Sequence, residues 1–421
     1  MSAPELVEHF FRHEYGRLVA TLSRRVGVQH LEAVEDAVQS ALMAAVETWT
    51  RAAVPDKPVA WLFRVASNAL QDELRFGARR GRILADHAAA ELTNAQECAT
   101  RQGEEPLFEA EVQDDLLRML FVCCDDAVPR DAQLVLALKT LCGFEVREIA
   151  HRLFLTEAAV YKRLERTRTR LRSRAPEMCE LDPAQCAPRL GAVQQILYLL
   201  FTEGYLSSHA ELSIRRELCD EAIRLTRLLA EHAVGQTPET FALLALMNLN
   251  AARLGARSDE ASGLLLLDEQ DRELWDPQQI QEGLTWLARS AQGDVFSRYH
   301  AEAGIAAEHC LASSLEATRW DRIVDCYEIL QRSSPSPLHQ LGHAVALAEW
   351  KGPAAGLELL QGLAPPTWLA GSYMWSAVLA DLHRRQGQTE LAELHADNAL
   401  EAAPTPAIRT LLARRLGLSE T

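Results

Sequence analysis

The chain has 421 residues, 48% of them hydrophobic, and a formal net charge of −16. That length holds two or three domains with room for a large core. There is no basic-then-apolar leader and no apolar run long enough to span a bilayer, so a cytoplasmic protein without membrane contact is expected. Nine scattered cysteines without a C-x-x-C pair argue against a disulfide framework or a zinc site.

Leu, Ala, Glu and Arg dominate, and no stretch alternates apolar and polar residues for long, so the expected fold is all-α. Residues 1–80 read as a first helical module. Leu6, Phe10, Phe11, Tyr15, Leu18, Val19 and Leu22 mark one helix, and Leu31 to Trp49 a second. A Pro-bounded loop comes next at Arg51–Pro58, and a third helix is expected from Val59 to about Arg79. Residues 81–110 are polar and Ala-rich and read as a linker.

Residues 111–175 read as a second module. Helices are expected over Asp114–Cys124, whose paired Cys123 and Cys124 read as core, and over Asp131–Cys142. The module ends in Glu145–Arg174. There Val146, Ile149, Ala150 and Leu153 share one helical face, and Val160, Leu164 and Leu171 share another. Thr156 stands at an N-cap position between them. From Glu157 to Arg174 there are seven Lys/Arg against two Glu, mostly off the apolar stripe. A helix-turn-helix needs that division: one face packed, the other carrying donors into a major groove. Basic helices are also common as plain solvated faces, and the neighbouring segments decide between the two.

Pro176, Pro183 and Pro188 mark the next boundary, and residues 176–421 read as a long helical domain. Within about 296–416 a weak repeat has the spacing of tetratricopeptide units, with turns at Gly352 and Gly387 and a fainter copy near Ile305–Leu330. The charge divides unevenly. Residues 1–175 carry 24 Lys/Arg against 26 Asp/Glu, whereas residues 176–421 carry 19 against 33. The acidity therefore belongs to the second half, and local basic clusters at Arg75–Arg82 and Lys162–Arg174 remain able to meet phosphate.

Three segments, in order, carry a family resemblance. The first is VEDAVQSALMAAVETW, from Val34 to Trp49. The second is PVAWLFRVASNALQDELR, in which Trp61, Leu62, Arg64, Asn68, Asp72 and Arg75 form W-L-x-R-x-x-x-N-x-x-x-D-x-x-R. The third is the helix-turn-helix. Together they resemble bacterial RNA polymerase sigma factors of the extracytoplasmic-function type. The second half resembles the long tetratricopeptide-like extension of one subgroup, whose recurring segments are similar to FTEGYLSS (Phe201–Ser208) and LLLLDEQDRELWD (Leu264–Asp276).

The resemblance implies docking on core RNA polymerase, at a coiled coil of the largest subunit and at the flap, through Glu35, Asp36, Gln39 and Leu42. It implies reading of a promoter −10 element by Arg51, Lys57, Trp61, Arg64, Asn68, Arg75, Arg79 and Arg80. It implies reading of a −35 element by Tyr161, Lys162, Arg163, Glu165, Arg166, Arg168 and Arg170. Thr156-Glu157-Ala158-Ala159 ahead of Val160, together with Tyr161 and Glu165, depart from the usual pattern and leave the promoter sequence open. No catalytic residue, cofactor or metal is expected. There is no phosphate-binding Gly loop and no H-E-x-x-H, and His9 and His13 lack a third ligand. The acidic extension is expected to regulate the DNA-reading modules or to be required by them, and to bind a protein or peptide ligand. The alternative is a helix-turn-helix regulator with a helical sensor domain that does not dock on polymerase.

Overall fold

The computed structural model describes residues 3–51, 54–85, 109–126, 128–153, 155–174, 183–207, 214–259, 263–293 and 295–417. Apolar residues recur there at three- and four-residue spacing, and the chain is helical almost throughout. The only strands among the described residues are a two-residue pair, Ser258–Asp259 with Gly263–Leu264. The fold is all-α and divides into two compact units, Met1–Leu200 and Phe201–Thr421.

In the first unit, α1 (Ala3–Val26), α2 (Leu31–Arg51) and α3 (Pro58–Ala85) form one module. The core stripe of α2 is Leu31, Val34, Ala37, Val38, Ala41, Leu42, Ala45 and Trp49, and Leu62, Ala66 and Leu70 of α3 meet it. Tyr15, Leu18, Val19 and Leu22 of α1 complete the core, while the side chains of Leu6, Phe10 and Phe11 lie outside the described residues. Arg51 closes α2 rather than opening the loop. Helix α3 runs past its expected end at Arg79 to Ala85, through Gly77 and Gly81. Most of the expected linker, residues 86–108, lies outside the described residues.

The second module comprises α4 (Glu109–Cys123), α5 (Arg130–Thr140), α6 (Val146–Arg152) and α7 (Glu157–Arg174). Phe144, Ile149, Val160, Leu164 and Leu171 are its buried seam. The turn into α5 is held by Gln133, whose amide donates to the carbonyls of Cys124, Asp125 and Val128 at 3.2, 2.8 and 2.9 Å. Cys123 and Cys124 are buried, and desolvation pushes the Cys124 thiol up to about 12, the state of an unreactive core residue.

The two modules touch through backbone. A Cβ on Gly16 of α1 would lie 2.1 Å from the carbonyl oxygen of Leu141, at the end of α5, so only glycine allows this approach. The unit also continues beyond the expected boundary at Pro176. Arg189 inserts its guanidinium into the second module, bonding Asp125 at 2.7 Å and the Phe121 carbonyl at 3.2 Å, with both charged side chains under 10% exposed. Arg130 reaches Gly191 and Gln195 at the start of α8 (Leu190–Tyr205). The expected boundary at Pro176 thus falls inside the first compact unit.

The second unit is built of helical hairpins: α9 (Arg216–Glu231), α10 (Pro238–Ala251), α11 (Pro277–Ser290), α12 (Arg298–Leu311), α13 (Trp320–Ser333), α14 (Pro337–Lys351), α15 (Pro353–Gln361), α16 (Tyr373–Arg385), α17 (Thr389–Glu401) and α18 (Pro406–Arg415). Thr237, Asp276, Ser336 and Thr405 each cap a helix by accepting a backbone N–H, and each precedes a proline at the first helical position. The expected turns are where the spacing put them. Gly352 (φ 94°) separates α14 from α15, and Gly387 (φ 77°) separates α16 from α17. Ala380, Ala396 and Ala399 pack in one core cluster and Ala344 and Ala348 in the next, allowing close helix approach.

Described residues of both recurring segments make packing and capping contacts. In the first, Gly204 lies against the start of α9, where the Arg215 backbone N–H donates to its carbonyl at 2.8 Å. In the second, the Asp271 carboxylate accepts from the Glu273 N–H and the Asp276 carboxylate caps the start of α11. Between them, Arg272 donates to the carbonyls of His309 and Ala312 at the end of α12, each at 2.8 Å. The guanidiniums of Arg253 and Arg272 lie over the buried Trp275 ring, 5.1 and 4.4 Å from its centre. Burial, with these two cations, holds the nearby His309 imidazole down at about 4.

Arg189→Ala strands Asp125 among buried groups and should cost about 3–5 kcal/mol, read as a lowered denaturant midpoint for the first unit. The folded-state value of His309 lies below its unfolded 6.5, so its contribution is complete above pH 6.5 and disappears as pH falls towards 4. About 3 kcal/mol should go over that window, and His309→Gln should flatten the slope in a tryptophan-fluorescence titration of unfolding.

Candidate polymerase and promoter interface

Helix α2 places Glu32, Glu35, Asp36, Gln39 and Leu42 on adjoining parts of its surface. Its inward stripe is wider than the apolar periodicity indicates. Leu42 and Glu35 are both 5% exposed, whereas Asp36, Gln39 and Met43 face outward. Leu42 belongs to the core between helices, so in this arrangement the outward face is Asp36, Gln39 and Met43.

Glu35 is covered by the second module. The Thr140 hydroxyl donates to one carboxylate oxygen at 2.7 Å, and the Arg168 guanidinium closes on the other. One turn earlier on α2, Glu32 meets Arg172, one turn later on α7. Burial raises the Glu35 carboxyl above the usual carboxylate range, and Arg168 and Thr140 only partly offset it. The charge therefore sits there at a net cost, supported by partners from another module. Tyr15 lies alongside, bonded to the Gln39 side chain, its hydroxyl pushed upward chiefly by burial and then by Glu35.

On α3, Arg64, Asn68 and Arg75 are exposed, and their four- and seven-residue steps put them on one stripe. Trp61 is half-buried, its ring 5.5 Å from that of Trp49, and Phe63 lies beneath Arg25. Both aromatic rings are packing groups that orient the stripe. Arg51 and Lys57 flank the loop before α3, both exposed. The side chains of Arg79 and Arg80 lie outside the described residues.

The helix pair α6–α7, where a helix-turn-helix is expected, is well capped. Glu145 and Glu148 bond each other's backbone N–H at the start of α6, and Thr156 accepts from Ala159 at 3.2 Å at the start of α7. Tyr161, Lys162, Glu165, Arg166 and Arg170 are exposed. Arg163 instead reaches back to Asp131 at 2.8 Å, and Arg168 to Glu35. The exposed face of α7 thus runs along the helix and includes Tyr161 and Lys162 near its N-terminal end, the part that meets base edges in helix-turn-helix motifs.

Sequence reading did not anticipate the pairs Glu32–Arg172, Glu35–Arg168 and Asp131–Arg163. The acids three apart on α2 and arginines four apart on α7 are visible as patterns. Nothing local joins partners 133 or 140 residues apart.

The family described as Sigma-70 region 2 matches residues 11–80, the α1–α3 module. A family of unknown function, DUF6596, matches residues 189–291. A Rhizobium meliloti (strain 1021) protein described only as uncharacterized is 34% identical over 376 residues, covering 89% of this chain and 87% of the relative. The chain belongs to the extracytoplasmic-function sigma factors with a C-terminal extension. No solved structure matches it. In this sigma factor the extension family begins at Arg189, the residue buried against Asp125, so the start of its match, up to Leu200, belongs to the first compact unit. Its role lies in promoter recognition, in a family of non-enzymatic transcription factors. No helix among the described residues is long and apolar enough to cross a membrane.

Proposed function

We propose that the chain docks on core RNA polymerase and directs initiation at promoters with separate −10 and −35 elements. The observation that carries this reading is the exposed Arg64–Asn68–Arg75 stripe on a helix inside the Sigma-70 region 2 match. Asn68 takes a base of the opened −10 strand, because an amide donates and accepts at once. Arg64, Arg75, Arg79 and Arg80 hold phosphates, and Arg51 and Lys57 line the approach. Trp61 supports the stripe from below.

At the −35 element, α7 enters the major groove. Tyr161, Lys162, Glu165 and Arg166 meet base edges, with Lys or Arg suited to guanine and Glu to cytosine. Arg163, Arg168 and Arg170 bond phosphates, which sets register rather than sequence. Docking uses Glu35, Asp36 and Gln39 against a basic surface of the polymerase, with Leu42 holding the helix from the core side. The acidic C-terminal unit governs these modules, and its hairpins around Gly352 and Gly387 offer the small-residue packing of tetratricopeptide-like units that take peptides.

The test is co-elution of the full chain with purified bacterial core polymerase, then run-off transcription on genomic fragments. Promoter-specific transcripts are expected, and Arg166→Ala should weaken discrimination at those promoters by about 1–3 kcal/mol. A chain that binds duplex DNA yet never co-elutes with core polymerase would be a free-standing regulator and would overturn the reading.

A further inference from the structure

Two helices with different proposed targets hold each other in this structure. Glu32 and Glu35 stand one turn apart on α2, and Arg168 and Arg172 stand one turn apart on α7. They pair in register, Glu35 with Arg168 and Glu32 with Arg172. Thr140 of α5 completes the shell around Glu35, Arg24 of α1 reaches Asp115 of α4 at 2.7 Å, and Gly16 lies against the Leu141 carbonyl. Side chains and backbone of α1 and α2 thus meet α4, α5 and α7.

We propose that the Glu32–Glu35 face of α2 is a docking surface for an arginine-bearing helix, and that its occupant in the free protein is the recognition helix α7. This rests on the sigma-factor reading above. Charge complementarity in matching register selects the occupant. Coverage does the rest: Glu35 is only 5% exposed while α7 is seated, so a polymerase surface reaches it only after α7 leaves. One guanidinium cannot bond Glu35 and a DNA phosphate together. Seating therefore removes Arg168 from the DNA face and Glu35 from the polymerase face at the same time. Polymerase and upstream DNA both select the open form, so each strengthens the other's binding by the same factor.

The test uses the full chain, a fluorescent 30-base-pair duplex of mixed sequence, and core polymerase. Gly16→Leu wedges α1 from Leu141 without changing charge or any residue assigned to DNA or polymerase. It should tighten duplex binding about tenfold in fluorescence anisotropy and enlarge the particle in small-angle scattering. Glu32→Gln removes one pair more gently and should shift both readouts the same way, severalfold in affinity. Circular dichroism checks folding, and if Gly16→Leu does not fold, Glu32→Gln decides. Folded variants with wild-type duplex affinity and unchanged scattering would overturn the internal docking, whatever the polymerase result. Loss of wild-type co-elution with core polymerase would instead overturn the sigma-factor reading on which the proposal stands.

Discussion

A carboxylate buried between two modules is the constraint on which the first unit turns. Glu35 has lost water on nearly every side, and a charge in that position needs donors. Its own helix offers none, since the backbone N–H groups of a helix interior are already bonded along the helix. Thr140 and Arg168, from helices far along the chain, supply them. The same demand fixes the rotation of α2, sending Leu42 inward and Asp36, Gln39 and Met43 outward. It also fixes the rotation of α7, turning Tyr161, Lys162, Glu165 and Arg166 towards solvent. Burial outweighs the attraction of Arg168 in setting the Glu35 proton affinity. Stability alone would favour an apolar residue there.

Arginine does comparable structural work in the second unit with carbonyls in place of carboxylates. A helix leaves its last carbonyls without partners. Arg272 satisfies two of them at the end of α12, and its planar group stays against Trp275. The described part of the connection between α10 and α11 is thereby anchored, with Arg414 of α18 adding a bond to Glu269 at 3.0 Å. One guanidinium nitrogen reaches both carbonyls, and lysine in place of Arg272 would lose the flat face that rests on the ring.

Much of this architecture was legible from periodicity and punctuation. The helices, the Thr156 cap and the turns at Gly352 and Gly387 all obey local rules that act within one or two turns. The illegible part depends on distant partners. Leu42 and Glu35, seven residues apart, lie on the same flank of a wide buried stripe, and a motif alone does not say which side faces a neighbour. The prolines after Arg174 read as a domain boundary, but Arg189 lies beyond them and its buried partner is Asp125. Arg163 and Arg168 read as DNA ligands because their helix is basic, and only the fold reveals the carboxylates that hold them here. The stripe proposed for the −10 element was the easier case, since Arg64, Asn68 and Arg75 are exposed and their spacing is their geometry.

The pairing of Arg163 and Arg168 with internal carboxylates has a consequence for how such a protein moves through a cell. A chromosome offers an enormous excess of arbitrary duplex, and any protein with a free cationic helix is titrated onto it. Here part of the recognition helix is neutralised within the chain, and the remainder belongs to a polypeptide of net charge −16. Such pairing lowers generic affinity for the phosphate backbone. With the proposed docking on polymerase, the search that matters is three-dimensional and aimed at a protein surface rather than at DNA.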